Sequence, residues 1–510
     1  MSTHESEPDK ALSDKTTADV ELPDLGAAIK DFVATNYSPS GIVAVARNGS
    51  ILQSRTWGDD GYDVRTAFRI ASCTKSFTAL ALLILRRQGR LGLDDAVVEH
   101  LPELKVDAPA DGPTLRLRHL LSMSAGLATD NPWGDRQEAR TRDELSAWLS
   151  AGLRLIFPPG SAYEYSNLGY SMLGEVISRV SGQDYRDYVR QHIIDPLGLS
   201  DTRFEAAELA TVAEGYHREP ALPGQPGGWT LQTPSGPGVF SPIGGLYSSA
   251  RDLATWAGLY LSREAPVGVD FTAADLLEAQ QPLNPIVSGA AEAPLRGYVS
   301  LAYGYGLGIE TFSDHGTVVA HSGGYPGFTT YMCWHKESGY TVIASANGTH
   351  SAVPGPARRV LFSLVAAASG GSKGDTGKAK AGKTSGAVEP WPETRETIAR
   401  IEQLVREAQS KTPQELAGRH ADLFAENVEM DFPLSRRIEY LKQALVGVGQ
   451  LNPSSEANVP TFERKSCARC SLTAENGKLD LYIELIPVAP YTVQTFSAEV
   501  FNGWQRIKLF

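Results

Sequence analysis

The sequence predicts an α+β protein: an antiparallel sheet flanked by helices, with a helical lobe, followed by a small second α+β domain. Three observations carry this. Strand-like segments cluster at both ends of the stretch before Ser369, the middle of that stretch is mainly helical in pattern, and a Gly/Ser/Lys/Ala-rich run then separates a further set of helices and strands. At 510 residues the chain is long for one core, since a domain ordinarily takes roughly 100–200 residues.

The elements follow in order. Residues 1–22 are polar and acidic and read as a disordered tail; they lack a basic stretch leading into an apolar run, so no secretory leader is expected and a cytoplasmic location follows as the expectation. Within a first domain at 23–369, Leu25 to Ala34 is amphipathic and reads as a helix. Gly41–Ala46 and Ile51–Trp57 read as strands joined through Asn48-Gly49, a strong hairpin signal. From Ser72 to about Leu261 the pattern is mainly helical, interrupted by Pro/Gly loops such as Pro220 to Gly238. Strands return at Tyr305–Ile309, Val318–Ala320, Phe328–Trp334 and Thr341–Ala346, and a helix closes the domain at Ala357–Ala368. Residues 370–388 have no apolar periodicity and read as a flexible linker, so a piece ending near Gly370 is expected to fold alone and to keep hydrolytic activity on a small ester. In the accessory domain at 389–510, Ile398, Ile401 and Val405 mark a helix, Thr412-Pro-Gln-Glu415 is a capping box for a second, and Leu434, Ile438, Leu441 and Leu445 mark a third. Leu479, Leu481, Ile483 and Leu485 alternate as a strand with a partner on each side.

Composition narrows the function. With 42% hydrophobic and 21% charged residues and a net charge of −12, the chain is globular and unsuited to a nucleic-acid partner. No apolar run approaches the ~18 residues that a membrane helix needs, so no membrane partner is expected. The four cysteines build no disulfide framework, and Cys467-Ala-Arg-Cys470 lacks two further ligands for a metal, so neither metal nor cofactor is expected.

The chemistry points to Ser72-Cys-Thr-Lys75, the single Ser-x-x-Lys of the chain, heading the apolar run Phe77 to Leu85. On a helix, i and i+3 share a face, which sets the hydroxyl beside the ammonium; burial lowers the lysine pKa until it accepts the serine proton. Two further motifs follow, Tyr165-Ser-Asn167 and His321-Ser-Gly323. A phenol beside a lysine relays protons between the serine and a leaving group, and an asparagine fixes the lysine or a substrate carbonyl.

These motifs, with Leu117 to Leu127, Pro159 to Tyr170, Pro196-Leu-Gly-Leu199 and Gly244 to Leu253, resemble the serine β-lactamase and penicillin-binding-protein superfamily, in particular its class C β-lactamase-like branch of esterases, D-aminopeptidases and acyltransferases. The resemblance runs from about Asp24 to about Ser369. It implies a β-lactamase/transpeptidase-like fold and Ser72 as nucleophile, with Lys75 and Tyr165 sharing the acid–base work and Asn167 placing Lys75 and substrate. It also implies an oxyanion hole from the N–H groups of Ser72 and Gly324, with Gly323 and Tyr305 among the substrate-binding residues. His321 stands where true class C enzymes usually carry lysine. A histidine near its reference pKa of ~6.5 is mostly neutral at pH 7, so weak anchoring of a carboxylate is expected. The expected activity is hydrolysis of a small ester, amide or peptide through an acyl-enzyme; acyl transfer or peptide cyclisation, weak β-lactamase activity, and a sensor acylated without turnover are the alternatives.

Other residues invite weighing. His119 reads as a packing residue in a turn. Asp130 to Arg136 either overhangs the cleft or is a solvated loop. Tyr303-Gly-Tyr305-Gly306 starts a strand and, through Tyr305, lines the acyl pocket, while Tyr163 is expected to point away from Tyr165.

Overall fold

The computed structural model describes residues 22, 24–26, 30, 38–58, 61–107, 112–219, 228–262, 265–286, 298–368, 388–452, 459–501 and 506–510. The expected N-terminal tail and linker, and most of the expected helix at Leu25 to Ala34, lie outside these.

The first strands are β1 (Gly41–Arg47) and β2 (Ser50–Trp57), joined where Asn48 and Gly49 take φ of 48° and 87°, as a two-residue hairpin turn requires. The remaining long strands of this sheet are β3 (Tyr298–Tyr303), β4 (Gly308–Phe312), β5 (Gly316–Tyr325), β6 (Phe328–His335) and β7 (Tyr340–Ala346). Their order is β2-β1-β7-β6-β5-β4-β3, all antiparallel, with the short segment Asn284–Pro285 at the far edge. The expectation of one strand over Tyr305–Ile309 is corrected here. The chain turns at 304–307 between β3 and β4, because Gly304 and Gly306 break the apolar run and Gly306 adopts φ +68°.

β6 and β7 are buried along their whole length, Thr329, Thr330, Thr341 and Ser345 included, which is why they read as mainly apolar runs rather than as alternating strands. One face of the sheet, with Val43, Val45, Cys333 and Val342, packs on Ala357, Leu361 and Leu364 of the closing helix Pro354–Ala368. The other face, with Ile42, Ala44, Met332 and Ile343, meets the helical lobe. At the centre of that lobe are α1 (Thr74–Arg87), buried from Thr74 through Leu85, and α2 (Asn167–Ser181), buried from Asn167 through Ser178. The lobe is not wholly helical: Gly228–Gln232, expected within a loop, pairs with Gly215–Glu219 as an exposed hairpin.

In the C-terminal unit α3 (Pro392–Glu407) and α4 (Leu434–Val448) cover a five-stranded antiparallel sheet. Its strands, in spatial and chain order, are β8 (Thr461–Arg464), β9 (Cys467–Ala474), β10 (Gly477–Leu485), β11 (Val493–Phe501) and β12 (Arg506–Lys508). Ile398, Ile401, Leu441 and Leu445 meet Leu472, Leu479, Leu481 and Ile483 in its core. Thr412 caps the helix Pro413–Arg419 by accepting from the Glu415 N–H at 3.2 Å. This unit does not keep its packing to itself. Ala128 and Ile156 belong to its core, and Ala425, Ile486 and Val488 join the core of the larger unit. Among the described residues no helix is long and apolar enough to cross a membrane.

Candidate active site

Ser72 lies in a single 3₁₀ turn, Ala71–Cys73, that leads directly into α1. Ala71 holds a left-handed φ of +46°, an uncommon conformation for a residue with a Cβ and a local strain at the head of the helix. Lys75, one turn on and fully buried, directs Nζ to three oxygens: Ser72 Oγ at 3.0 Å, Asn167 Oδ1 at 2.7 Å and the Ile243 carbonyl at 2.8 Å. Burial pulls the Lys75 pKa down to about 7, while the carboxyl groups of Asp135 and Asp130 oppose the shift. Gly306 comes so close behind this turn that a Cβ there would stand 2.5 Å from the Lys75 carbonyl oxygen.

Tyr165 reaches the same serine from the loop that precedes α2 and donates its hydroxyl to Ser72 Oγ at 2.9 Å. Its pKa is raised well above the ordinary value, chiefly by burial, so the phenol keeps its proton at neutral pH. Ser166 caps α2 by accepting from the Gly169 N–H, and Asn167 is the first helical residue. The Asp130 carboxylate accepts from the Asn167 and Leu168 N–H groups at 2.7 and 2.6 Å, satisfying two donors that a helix start leaves open. The Asn167 amide donates to Asn131 Oδ1, so its carbonyl is left facing Lys75. The 130–136 loop is therefore part of the site, with Asn131, Pro132 and Asp135 on the cleft.

The third motif lies on β5. Past Ala320 the pairing with β4 ends, and the 321–325 edge comes to the 3₁₀ turn; a Cβ on Gly323 would stand 2.1 Å from the Ile70 carbonyl oxygen. Gly323, expected among the substrate-binding residues, is corrected here: its α-carbon packs on Ile70 behind the site, while Ser72 and Gly324 line the cleft. His321 is buried and neutral: burial, then the Lys75 charge, push its pKa down to about 3. Its Nδ1 donates to the Ser322 carbonyl at 2.6 Å, which leaves Nε2 to accept from the Tyr303 hydroxyl at 2.9 Å. Both ring nitrogens are engaged, so the imidazole offers no N–H to a substrate.

The cleft is about 1110 Å³. Tyr163, Tyr165 and Tyr303 form an aromatic wall, with ring centroids 5.8 Å apart for Tyr163–Tyr303 and 6.5 Å for Tyr165–Tyr303. His350 lines the cleft as well, as do Arg358, paired with Glu310 at 2.7 Å, and Arg359. Two further expectations need correction. Tyr305 is buried off the cleft, its N–H bonded to the Ala279 carbonyl, and Tyr303 takes the place expected for it because the 304–307 turn redirects the chain. Tyr163 does not point away from Tyr165: in an extended segment i and i+2 share a side, a signal available in the sequence. His119 accepts from the Arg116 N–H within a short helix and is not among the residues that line the cleft. Among the described residues no three His, Cys, Asp or Glu side chains gather to hold a metal.

Compared with known proteins, residues 25–367 match the Beta-lactamase family model. The chain belongs to that family. It is a member of the serine β-lactamase and penicillin-binding-protein superfamily of serine hydrolases. It is 26% identical over 329 residues to Protein flp of Staphylococcus aureus (strain MW2), a match covering 62% of this chain and 61% of that protein. It is 27% identical over 329 residues to Penicillin-binding protein 4* of Bacillus subtilis (strain 168), covering 60% of this chain and 68% of the other. The match thus spans less than two thirds of the length of flp. Among solved structures, the octameric penicillin-binding protein homologue from Pyrococcus abyssi is similar with a TM-score of 0.56 at 19% identity, covering 95% of this chain and 100% of that one. A D-stereospecific amidohydrolase from Streptomyces sp. gives 0.53 at 23% identity, covering 67% and 99%. These two likenesses are of fold alone. This β-lactamase-family chain resembles the first over both of its units.

Proposed function

We propose that this β-lactamase-family protein cleaves an ester or amide through an acyl-enzyme on Ser72. The observation that carries the reading is the convergence of Lys75 Nζ and Tyr165 Oη on Ser72 Oγ, at 3.0 and 2.9 Å. A neutral Lys75 amine has two N–H donors and one lone pair, matching the Asn167 and Ile243 oxygens and the Ser72 hydroxyl. As Ser72 Oγ attacks the substrate carbonyl carbon, its proton passes to Lys75, and the negative charge on the carbonyl oxygen is met by the N–H groups of Ser72 and Gly324. Tyr165, which stays protonated, gives its proton to the leaving oxygen or nitrogen and regains one from Lys75. A water then repeats the sequence on the acyl-enzyme, and Ser72 is released with a carboxylic acid product.

His321 narrows the substrate class. With no charge and no spare donor, it supports simple esters and D-aminoacyl amides over penicillins and cephalosporins, whose carboxylate finds no cation at this position. The test is steady-state hydrolysis of p-nitrophenyl esters, D-amino-acid amides and nitrocefin, with mass spectrometry of the quenched enzyme. Acyl mass on the peptide carrying Ser72, and its loss in Ser72→Ala, is the expected result; turnover by Ser72→Ala at the wild-type rate would overturn the reading.

A further inference from the structure

Tyr163 and Tyr165 face the cleft, and between them Glu164 faces the other way. The Glu164 N–H is held by the Met123 carbonyl at 2.8 Å, and its carboxylate accepts from Arg464 Nη1 at 2.5 Å. Arg464 stands on β8 of the C-terminal sheet and reaches Glu484 Oε1 of β10 at 3.2 Å with the same nitrogen. Both carboxyl groups are nearly buried, with Glu164 side-chain exposure of 12% and Glu484 of 6%. One guanidinium, its own side chain 37% exposed, thus bridges two nearly buried acidic groups.

The second cleft loop is held in the same way. Gln494 of β11, buried, donates to the Thr129 carbonyl at 2.7 Å and accepts from the Trp133 N–H at 3.4 Å, bracketing the segment whose Asp130 and Asn131 hold Asn167. Beyond it, Arg136 pairs with Asp431 at 2.8 Å, and Gln137 donates to Glu426 at 2.9 Å. Both loops therefore touch substrate space with one side and the C-terminal unit with the other.

We propose that the C-terminal unit is a positioning element of the active site, and that Arg464 is a positioning residue that acts through Glu164 to hold Tyr165 against Ser72. The inference rests on the role of Tyr165 stated above. Without Arg464, Glu164 loses the donor that ties it to β8, and since burial already raises the pKa of both carboxyl groups, Glu484 to about 8, what goes is this tether on the Tyr163–Tyr165 segment rather than the screening of two charges. Tyr165 then loses its alignment with Ser72 Oγ. Misplacement of about 1 Å in a reacting group costs up to ~10²-fold.

The experiment is a double-mutant cycle on ester hydrolysis in the full chain. Arg464→Met is expected to lower kcat by ~10-fold or more with KM little changed, because Tyr165 acts in the transition state. Arg464→Lys, which restores the charge, is expected to recover part of the loss. In a Tyr165→Phe background Arg464→Met is expected to change kcat no further, since the group through which it acts is gone. Glu164→Gln, close in shape to the native residue, is the second variant should Arg464→Met not fold. Wild-type kcat in Arg464→Met and Glu164→Gln beside a slow Tyr165→Phe overturns the inference alone, as do losses that simply multiply. A Tyr165→Phe enzyme with wild-type kcat overturns the role of Tyr165 and the inference with it.

Discussion

Lys75 Nζ and Tyr165 Oη meet at a single atom, Ser72 Oγ, one buried low in its pKa and the other buried high. Burial disfavours the charged form of each, so the same apolar surroundings make the amine a base and keep the phenol an acid. Ser72→Ala is expected to abolish turnover and labelling by a fluorophosphonate probe. Lys75→Ala and Tyr165→Phe are each expected to lose at least ~10²-fold in kcat, with labelling and steady-state rates as the measurements.

The pH profile follows from Lys75. The base acts when neutral, so kcat/KM is expected to rise with pH through about 7, the value to which burial lowers this lysine. Asp135 opposes that shift, and Asp135→Asn is therefore expected to move the rise to lower pH. An unmoved or upward-moved profile would show that another group titrates there.

Burying Lys75 also has a sign for stability. Its folded pKa lies below the ordinary 10.5, so the unfolded chain binds the extra proton and stability rises with pH between about 7 and 10.5. Lys75→Met is expected to be inactive and more stable than the wild type. Its gain in Tm should be largest below pH 7 and shrink above it, as read by thermal denaturation across that range.

His321→Lys tests substrate class. The added ammonium is expected to raise kcat/KM for nitrocefin relative to a p-nitrophenyl ester, a ratio measured on one preparation. Nitrocefin turnover by the wild type near that of its best ester would contradict the reading of His321.

Truncation after Gly370 probes the C-terminal unit as a whole. It uncovers Ala128 and Ile156 and removes every partner of Glu164 and Thr129 supplied by β8 and β11. The ester kcat of the shortened chain is expected to fall at least as far as that of Arg464→Met.

Much of the site was legible in the sequence because Ser72, Lys75, Tyr165, Asn167 and His321 stand in three short motifs, each at an element boundary that local patterning locates. The sheet was legible for a similar reason: β6 and β7 are mainly apolar, β-branched and aromatic runs, and Asn48-Gly49 marks its hairpin. Tyr303 and Tyr305 were exchanged because two glycines hide where the strand ends. His350 and Arg464 carry no local signal. They reach the site or its wall through long-range packing, which a linear pattern does not encode.

The left-handed Ala71 and the contact of Gly323 with Ile70 also say something about time. On a ribosome Ser72 emerges long before Asn167, Ile243 and the β5 edge that surround it. The nascent chain thus carries its reactive serine unarmed, and the apparatus is completed only when the later strands close over the first helix.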